Sequence, residues 1–466
     1  MADEFEPVDE ETTEGHAPGR LTRAGEAVRG IAIDTTPLRE SRDFRLLWVG
    51  ELISTTGRQV TLVALPAQIF LLTGSSLAVG IIGLVQIVPL AVFSLVGGAW
   101  ADRMDRRKLI IATEVGLALS TAMLLVGTLI NFTPLWYLYL AAGLQAGFGG
   151  VNSPTRSAVV PNVVPRERLP AALALNQVMF NTTMIVGPAV AGFIIGVGTQ
   201  SPHSLGLILA YSTDLLTFAT AIAAAIMLRP QMPRGAGTEA STSAWRSIRE
   251  GFSFVKGRRV LIATFVIDLN AMIFGMPRAL FPALAYDVFG VGAHGLGLLY
   301  AAPAAGALIG ALTAGWVGRV RHQGRAVVWS VMLWGASIAA FGFCRNAFWL
   351  GLFFLAIAGG ADVISAVFRS TILQLSVPDA LRGRLSAIHI LVVTGGPRLG
   401  DFEAGLVAGL TTTEFSVVSG GLACIAGAAL TVLWIPELWR YHAGDTKDRT
   451  EPGRPRRWPR RAPPAA

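Results

Sequence analysis

Twelve apolar stretches, each close to the roughly 20 residues a helix needs to cross a bilayer, follow one another along this chain. They fall near 47–72, 78–101, 109–130, 134–154, 171–197, 205–228, 260–286, 292–318, 326–344, 347–370, 385–410 and 415–436. Hydrocarbon offers no water to satisfy free N–H and C=O groups, so spans of this length must close their hydrogen bonds internally. The pattern predicts an all-α membrane protein. Composition agrees: 52% of residues are hydrophobic and only 15% charged, with mean hydropathy +0.54, too apolar for a soluble chain of this length.

The twelve stretches form two related sets of six. Arg156-Ser157, seven residues and then Pro165 return 213 residues later as Arg369-Ser370, seven residues and Pro378, with Val164 matching Val377. Arg168-Leu169-Pro170-Ala171 is echoed by Arg384-Leu385-Ser386-Ala387. At nearly the same offset Leu65-Pro66-Ala67 matches Phe281-Pro282-Ala283, Gly74 matches Gly290 and Trp100 matches Trp316. A duplicated half embedded in apolar sequence is the mark of a transporter made of two membrane bundles.

Loop arginines orient the path. Arg103, Arg106, Arg107 and Lys108, then Arg166 and Arg168, Arg229 through Arg259, Arg319, Arg321 and Arg325, and Arg382 and Arg384 occupy alternate intervals. The intervening loops hold no Lys or Arg apart from Arg345. Both termini are thus expected in the cytoplasm. The net charge of +8 is spread over these loops and does not form one basic face, which argues against a nucleic-acid partner. Cys344 and Cys424 lie inside apolar stretches and read as small core residues, without disulfide or metal spacing.

The expected organisation is an unstructured acidic tail over 1–40, a six-helix bundle over 41–229, a linker over 230–259, a second bundle over 260–438 and an unstructured basic tail over 439–466. Within the linker, Trp245, Ile248, Phe252 and Val255 fall on one helical stripe among arginines, the pattern of a helix lying on the membrane surface.

The loop after the second stretch reads Gly98-Ala99-Trp100-Ala101-Asp102-Arg103-Met104-Asp105-Arg106-Arg107-Lys108. It resembles the signature of the major facilitator superfamily, with Asp105 where that family usually has glycine. Gly98 would let helices approach, Asp102 would accept from a neighbouring helix N-terminus, and Arg103, Arg106 and Arg107 would hold an inner gate. The second half keeps Arg319 opposite Arg103 but has Gly318 opposite Asp102. Arg156 and Arg369 are expected as further gate elements. Gly187-Pro188 and Gly192 in the fifth stretch resemble part of an antiporter motif, and Gly396-Pro397 stands at the equivalent place in the eleventh; both read either as helix kinks or as packing glycines. The arginine that many antiporters of this superfamily carry in the fourth helix is absent, with Gly143 near its place. Stretches such as NSPTRSAVVPNVVP and GGADVISAVFRSTILQLSVPDALRGRLSAI are similar to the enterobactin (siderophore) exporter branch.

Charges inside spans are costly and need a partner, a wet cavity or a function. Glu51, Arg58, Asp214, Asp268, Arg278, Asp362, Arg398, Asp401 and Glu403 are such charges. The resemblance implies that the first, fourth, seventh and tenth helices line the cavity, favouring Arg58, Asp268 and Asp362 there. Asp401 lies three residues from Arg398, within reach of a helical pair. Glu51, Glu403 and Arg278 read as structural ion pairs near span ends. An acid beside a buried arginine can trade its proton as access alternates, because burial favours its neutral form and the guanidinium its charged form.

These features lead to a secondary transporter in the bacterial inner membrane, exporting a siderophore-like metabolite or drug in exchange for protons and acting as a monomer. Symport or facilitated uptake is the alternative within transport. A membrane enzyme or receptor is the alternative outside it, for which the scattered histidines provide no cluster. No cofactor motif and no Gly-x-x-x-x-Gly-Lys-Ser/Thr loop is present.

Overall fold

The computed structural model describes residues 34–101, 103–232, 253–377 and 379–442. Twelve long helices lie among them, with no strand. In order they are α1 (Arg42–Thr73), α2 (Ser76–Ala101), α3 (Arg106–Leu129), α4 (Leu135–Val163), α5 (Leu169–Ile195), α6 (Leu205–Met227), α7 (Arg259–Phe274), α8 (Gly292–Thr313), α9 (Gln323–Gly342), α10 (Phe348–Ser376), α11 (Asp379–Leu410) and α12 (Thr413–Trp434). Nine of the twelve hold a stretch apolar enough to cross a membrane; α1, α4 and α11 are long enough but more polar.

Local chemistry sets the ends. The hydroxyls of Ser41, Ser204 and Thr412 accept from the N–H groups of Phe44, Leu207 and Phe415, capping α1, α6 and α12. Gly74 ends α1 in the left-handed region at φ 61°, and its counterpart Gly290 does the same at φ 64°. The repeat is therefore conformational as well as textual. Val164 and Val377 are both buried, and Trp100 and Trp316 are 45% and 46% exposed.

Helix pairing repeats too. In the first six, α1 packs on α5 and α6, α4 on α2 and α3, and α3 on α6; in the second six, α7 packs on α11 and α12, α10 on α8 and α9, and α9 on α12. The lobes meet through α2 against α11 and α5 against α8, which exchange under the same relation. These seams run on glycine, as expected where no solvent drives helices together and close backbone contact must do so. A Cβ on Gly80 would lie 2.6 Å from the Asp401 carbonyl, and one on Gly192 would lie 2.8 Å from Gly297 Cα. Both contacts belong to the half of the molecule away from the arginine-bearing loops. One apolar core runs through both lobes, from Val63 and Ile69 to Leu284 and Leu296, and in the second lobe extends to the arginine-bearing face at Val317, Val327 and Tyr441. Toward the arginine-bearing face each lobe also has its own cluster, Phe44, Leu47, Ile110 and Val159 in the first and Val255, Leu261, Phe265 and Val377 in the second.

Three expectations need correction. The seventh stretch is not one continuous helix: α7 stops at Gly275, and after Pro277 the chain continues through a 3-10 turn (Arg278–Leu280), a short helix (Phe281–Ala283) and a π-turn (Leu284–Val288). Pro277 has no N–H to continue the ladder, and the freed Gly275 carbonyl accepts from the Trp334 indole at 2.8 Å. At the N-terminal side, residues 34–40 belong to the folded part. Pro37 is buried at the start of a short helix (Thr36–Glu40), and Arg168 reaches Glu40 and Asp34 at 3.4 and 3.7 Å. At the other end, buried Tyr441 keeps the chain folded to residue 442. Of the linker stripe, Val255 packs on the second lobe; Trp245, Ile248 and Phe252 lie outside the described residues. Arg345, the exception among the loops, pairs with Glu414 at 3.7 Å.

Candidate functional site

A cavity of about 430 Å³ occupies the midline between the lobes. Arg58, Leu62 and Leu65 of α1, Ile82 and Gln86 of α2, Gln145 of α4 and Asp214 and Phe218 of α6 line it from one lobe. Arg278 and Ala279 after the α7 break, Tyr300 of α8, and Arg398 and Asp401 of α11 line it from the other. The three helices too polar to rank with the nine apolar spans, α1, α4 and α11, all contribute. Their polarity is spent on this cavity and on the pairs beside it.

The cavity acids are held by neutral donors. Asp214, fully buried, accepts from Thr61 at 2.5 Å and from Thr121 at 3.0 Å. Asp401 accepts the backbone N–H of Ala279 at 3.2 Å, one of the groups freed by the α7 break. The expected Arg398–Asp401 pair is absent: Arg398 donates instead to the Thr394 carbonyl at 2.5 Å, one turn back on its own helix. Arg58 donates to Thr55 at 2.7 Å. Arg278, expected as a structural ion pair, stands at the cavity wall with no side-chain bond among the described residues, because the break turns this segment out of helical register.

Below the cavity each lobe holds a buried arginine at its repeat-equivalent place. Arg156 donates to Glu114 at 2.7 Å and to Asn152 at 3.0 Å, and lies 3.9 Å from Glu51. Glu114 also accepts from Asn152 at 3.0 Å and from Ser54 at 3.3 Å, so both of its oxygens are bonded. Arg369 donates to Ser365 at 2.8 Å, the counterpart of Asn152, and lies 2.9 Å from Asp268 and 3.7 Å from Asp362. Here the satisfaction is incomplete. Asp268 Oδ1 faces the guanidinium without the alignment of a hydrogen bond, and Arg369 Nε and His389 Nδ1 are buried without partners. The duplication kept the arginines and an acid on the first helix of each lobe, Glu51 on α1 and Asp268 on α7, while the second acid stands on α3 in the first lobe and on α10 in the second.

This geometry revises the expectation for Asp268 and Asp362. Neither lines the main cavity; both face Arg369, and Asp362 borders a small void with Arg278 and Trp334. Arg156 and Arg369, expected at the gate, are buried within their own lobes, at 4% and 2% exposure. Glu114 was missed from the sequence, since it lies near the start of an apolar span where a charge could reach water. Its full burial comes from α4 and α1 closing over it.

The signature loop is likewise occupied within one lobe. Asp105, which replaces the usual glycine, caps α3 through the Arg107 N–H at 3.0 Å and accepts from the Gln231 N–H at 2.9 Å. Arg106 donates to the carbonyls of Ala101 and Ala158, and Arg107 to that of Ile226, tying the ends of α2, α4 and α6 together. Gly98 is only partly buried, Arg103 and Arg319 are exposed, and Asp102 lies outside the described residues. Both Gly-Pro pairs lie inside continuous helices. A Cβ on Gly187 would overlap Gln59 Cβ of α1, and one on Gly396 would lie 3.0 Å from Met272 Cβ of α7. Close packing against the first helix of each lobe therefore explains both glycines.

The chain matches the transmembrane secretion effector family over residues 33–452. It is similar to the enterobactin exporter EntS of Escherichia coli O1:K1 / APEC, with 26% identity over 405 residues, covering 85% of this chain and 93% of the relative. Among solved structures, a bacterial homologue of the iron transporter ferroportin in an inward-facing state has a TM-score of 0.65 at 16% identity, covering 85% of this chain and 98% of its own. A D-xylose-proton symporter has 0.65 at 13%, with the same coverage of both chains. Two six-helix lobes related by the repeat, a charged midline cavity and these matches together make this chain a multi-pass membrane transporter of the major facilitator superfamily, belonging to its transmembrane secretion effector family.

Proposed function

We propose that this transporter exports a small amphipathic molecule from the bacterial cytoplasm across the inner membrane in exchange for protons, by alternating access. The arginine-bearing face is the cytoplasmic one in this reading, by the bias of loop charge, and both termini lie on it. The observation that carries the proposal is the distribution of contacts between the lobes. Glycine seams hold them together away from the arginine-bearing face, and the charged cavity lies at the midline. Rocking about that midline would close the cytoplasmic side and part the glycine seams. The similarity to an exporter supports the direction.

Proton exchange calls for a carboxyl whose environment changes as the lobes rock. Asp401 fits, because it lies in the cavity, bonds the α7 break and sits on the α2–α11 seam. The incompletely bonded Asp268–Arg369–Asp362 group is the second place. No nucleic acid takes part, and one chain suffices for the cycle.

Inside-out vesicles test this. A pH gradient, acid inside, should drive solute into vesicles bearing the intact protein, and Asp401→Asn or Asp268→Asn should abolish the dependence on the gradient. Solute moving in the same direction as protons would replace export by symport.

A further inference from the structure

The charge of the cargo can be read from the midline cavity, given that the cavity is the transport site proposed above. Three guanidinium groups and two carboxylates line it. Each carboxylate is engaged through one oxygen: Asp214 Oδ2 by two threonine hydroxyls and Asp401 Oδ1 by a backbone N–H, while Asp214 Oδ1 is buried without a partner. Neither forms an ion pair within 4.0 Å with Arg58, Arg278 or Arg398 among the described residues. The guanidinium groups are the reverse. Arg278 uses none of its side-chain donors on described residues; Arg58 makes one bond, to Thr55; Arg398 makes one, to Thr394, and its Nε is buried without a partner. Each guanidinium carries five donors in a planar fork; Arg278 is exposed and Arg58 and Arg398 are half-buried, so most of these donors face the cavity. The wall thus presents three guanidinium groups with donors open to the cavity against two carboxylates, each held through one oxygen.

The remaining wall is apolar, with Leu62, Leu65, Ile82 and Phe218 among the lining residues. We infer that the cavity selects organic anions: molecules with an apolar body and at least one anionic oxygen group, which bridges Arg58 of the first lobe to Arg278 and Arg398 of the second. Planar oxygen pairs such as carboxylate match the guanidinium fork in bidentate fashion. The same bridge favours closure, since an anion held by both lobes draws them together on the side where they are apart. A cationic amphipath of similar size meets three like charges and only two carboxylates, one oxygen of each already bonded.

Equilibrium binding to the full chain in lipid nanodiscs, with no ion gradient, tests this with two dyes that share a xanthene body. Fluorescein carries the carboxylate and negative charge, and rhodamine 6G carries a positive one. Fluorescein is expected to bind at least tenfold more tightly. Arg278→Gln, whose side chain bonds nothing that the fold depends on, should weaken fluorescein about tenfold and leave the melting temperature in place. Arg398→Lys should weaken it less, because it keeps the charge and loses the fork. Arg345→Gln on the opposite face should change nothing. Rhodamine 6G binding as tightly as fluorescein, or fluorescein affinity indifferent to Arg278→Gln, would overturn the inference. Binding is read without transport, so a failure of proton-driven export in vesicles would leave this result standing, and the reverse also holds.

Discussion

Replacing Glu114 by glutamine removes one charge from the tightest ion pair among the described residues. Arg156, 4% exposed, would keep Asn152 at 3.0 Å and Glu51 at 3.9 Å, the latter on a partly exposed side chain. Stranding one partner of a buried pair costs about 3–5 kcal/mol. Glu51 remains to offset part of the charge, which places the expected loss near the lower end, about 3 kcal/mol, or roughly a hundredfold in the unfolding equilibrium. Denaturant titration in mixed micelles, read by tryptophan fluorescence, would measure it. The double change Glu114→Gln with Arg156→Met removes both charges and should recover much of the loss, since no lone charge stays buried. The equivalent change in the second lobe, Asp362→Asn, should cost much less, because Arg369 keeps Asp268 at 2.9 Å. A single Glu114→Gln that leaves stability unchanged, or a double change as harmful as the sum of both singles, would refute this account of the first lobe.

Other expectations follow from the same geometry. Gly192→Val pushes a side chain into Gly297 and the Ala293 carbonyl; overpacking of this kind costs about 1–3 kcal/mol. It should bias the transporter toward the state with that seam open, raising thiol labelling of cysteines introduced along it. Asp105→Ala loses a helix cap worth about 0.5–2 kcal/mol and the hold on Gln231; thermal unfolding should fall, while Asp105→Asn should retain most of it. Trp334→Phe leaves the Gly275 carbonyl unpaired at a cost of about 1–3 kcal/mol, and hydrogen exchange around the α7 break should quicken. Asp401→Asn should preserve the contact with Ala279 while removing the exchangeable charge, so substrate binding persists as gradient-driven flux disappears.

Much of the architecture is written in local properties. Apolar length, the recurrence of Arg156-Ser157 as Arg369-Ser370, and the glycines at 74 and 290 act through nearest neighbours and bilayer thickness, so the twelve helices and their two-lobed repeat follow from the sequence alone. At Asp105 the sequence shows only a departure from a family pattern, and the cap it places on α3 is a finding of the structure. The partners of the buried charges do not follow from it. Arg398 and Asp401 are spaced to pair along one helix, yet the aspartate turns to an N–H freed on α7. Glu114 looks like a charge near a span end until α1 and α4 close over it. Which carboxylate meets which guanidinium, and which arginine is left open to the cavity, depends on how separate helices cross. No spacing within one helix encodes that, because a hydrogen bond forms only at about 3 Å and the competing partners lie on different elements until the lobes have packed.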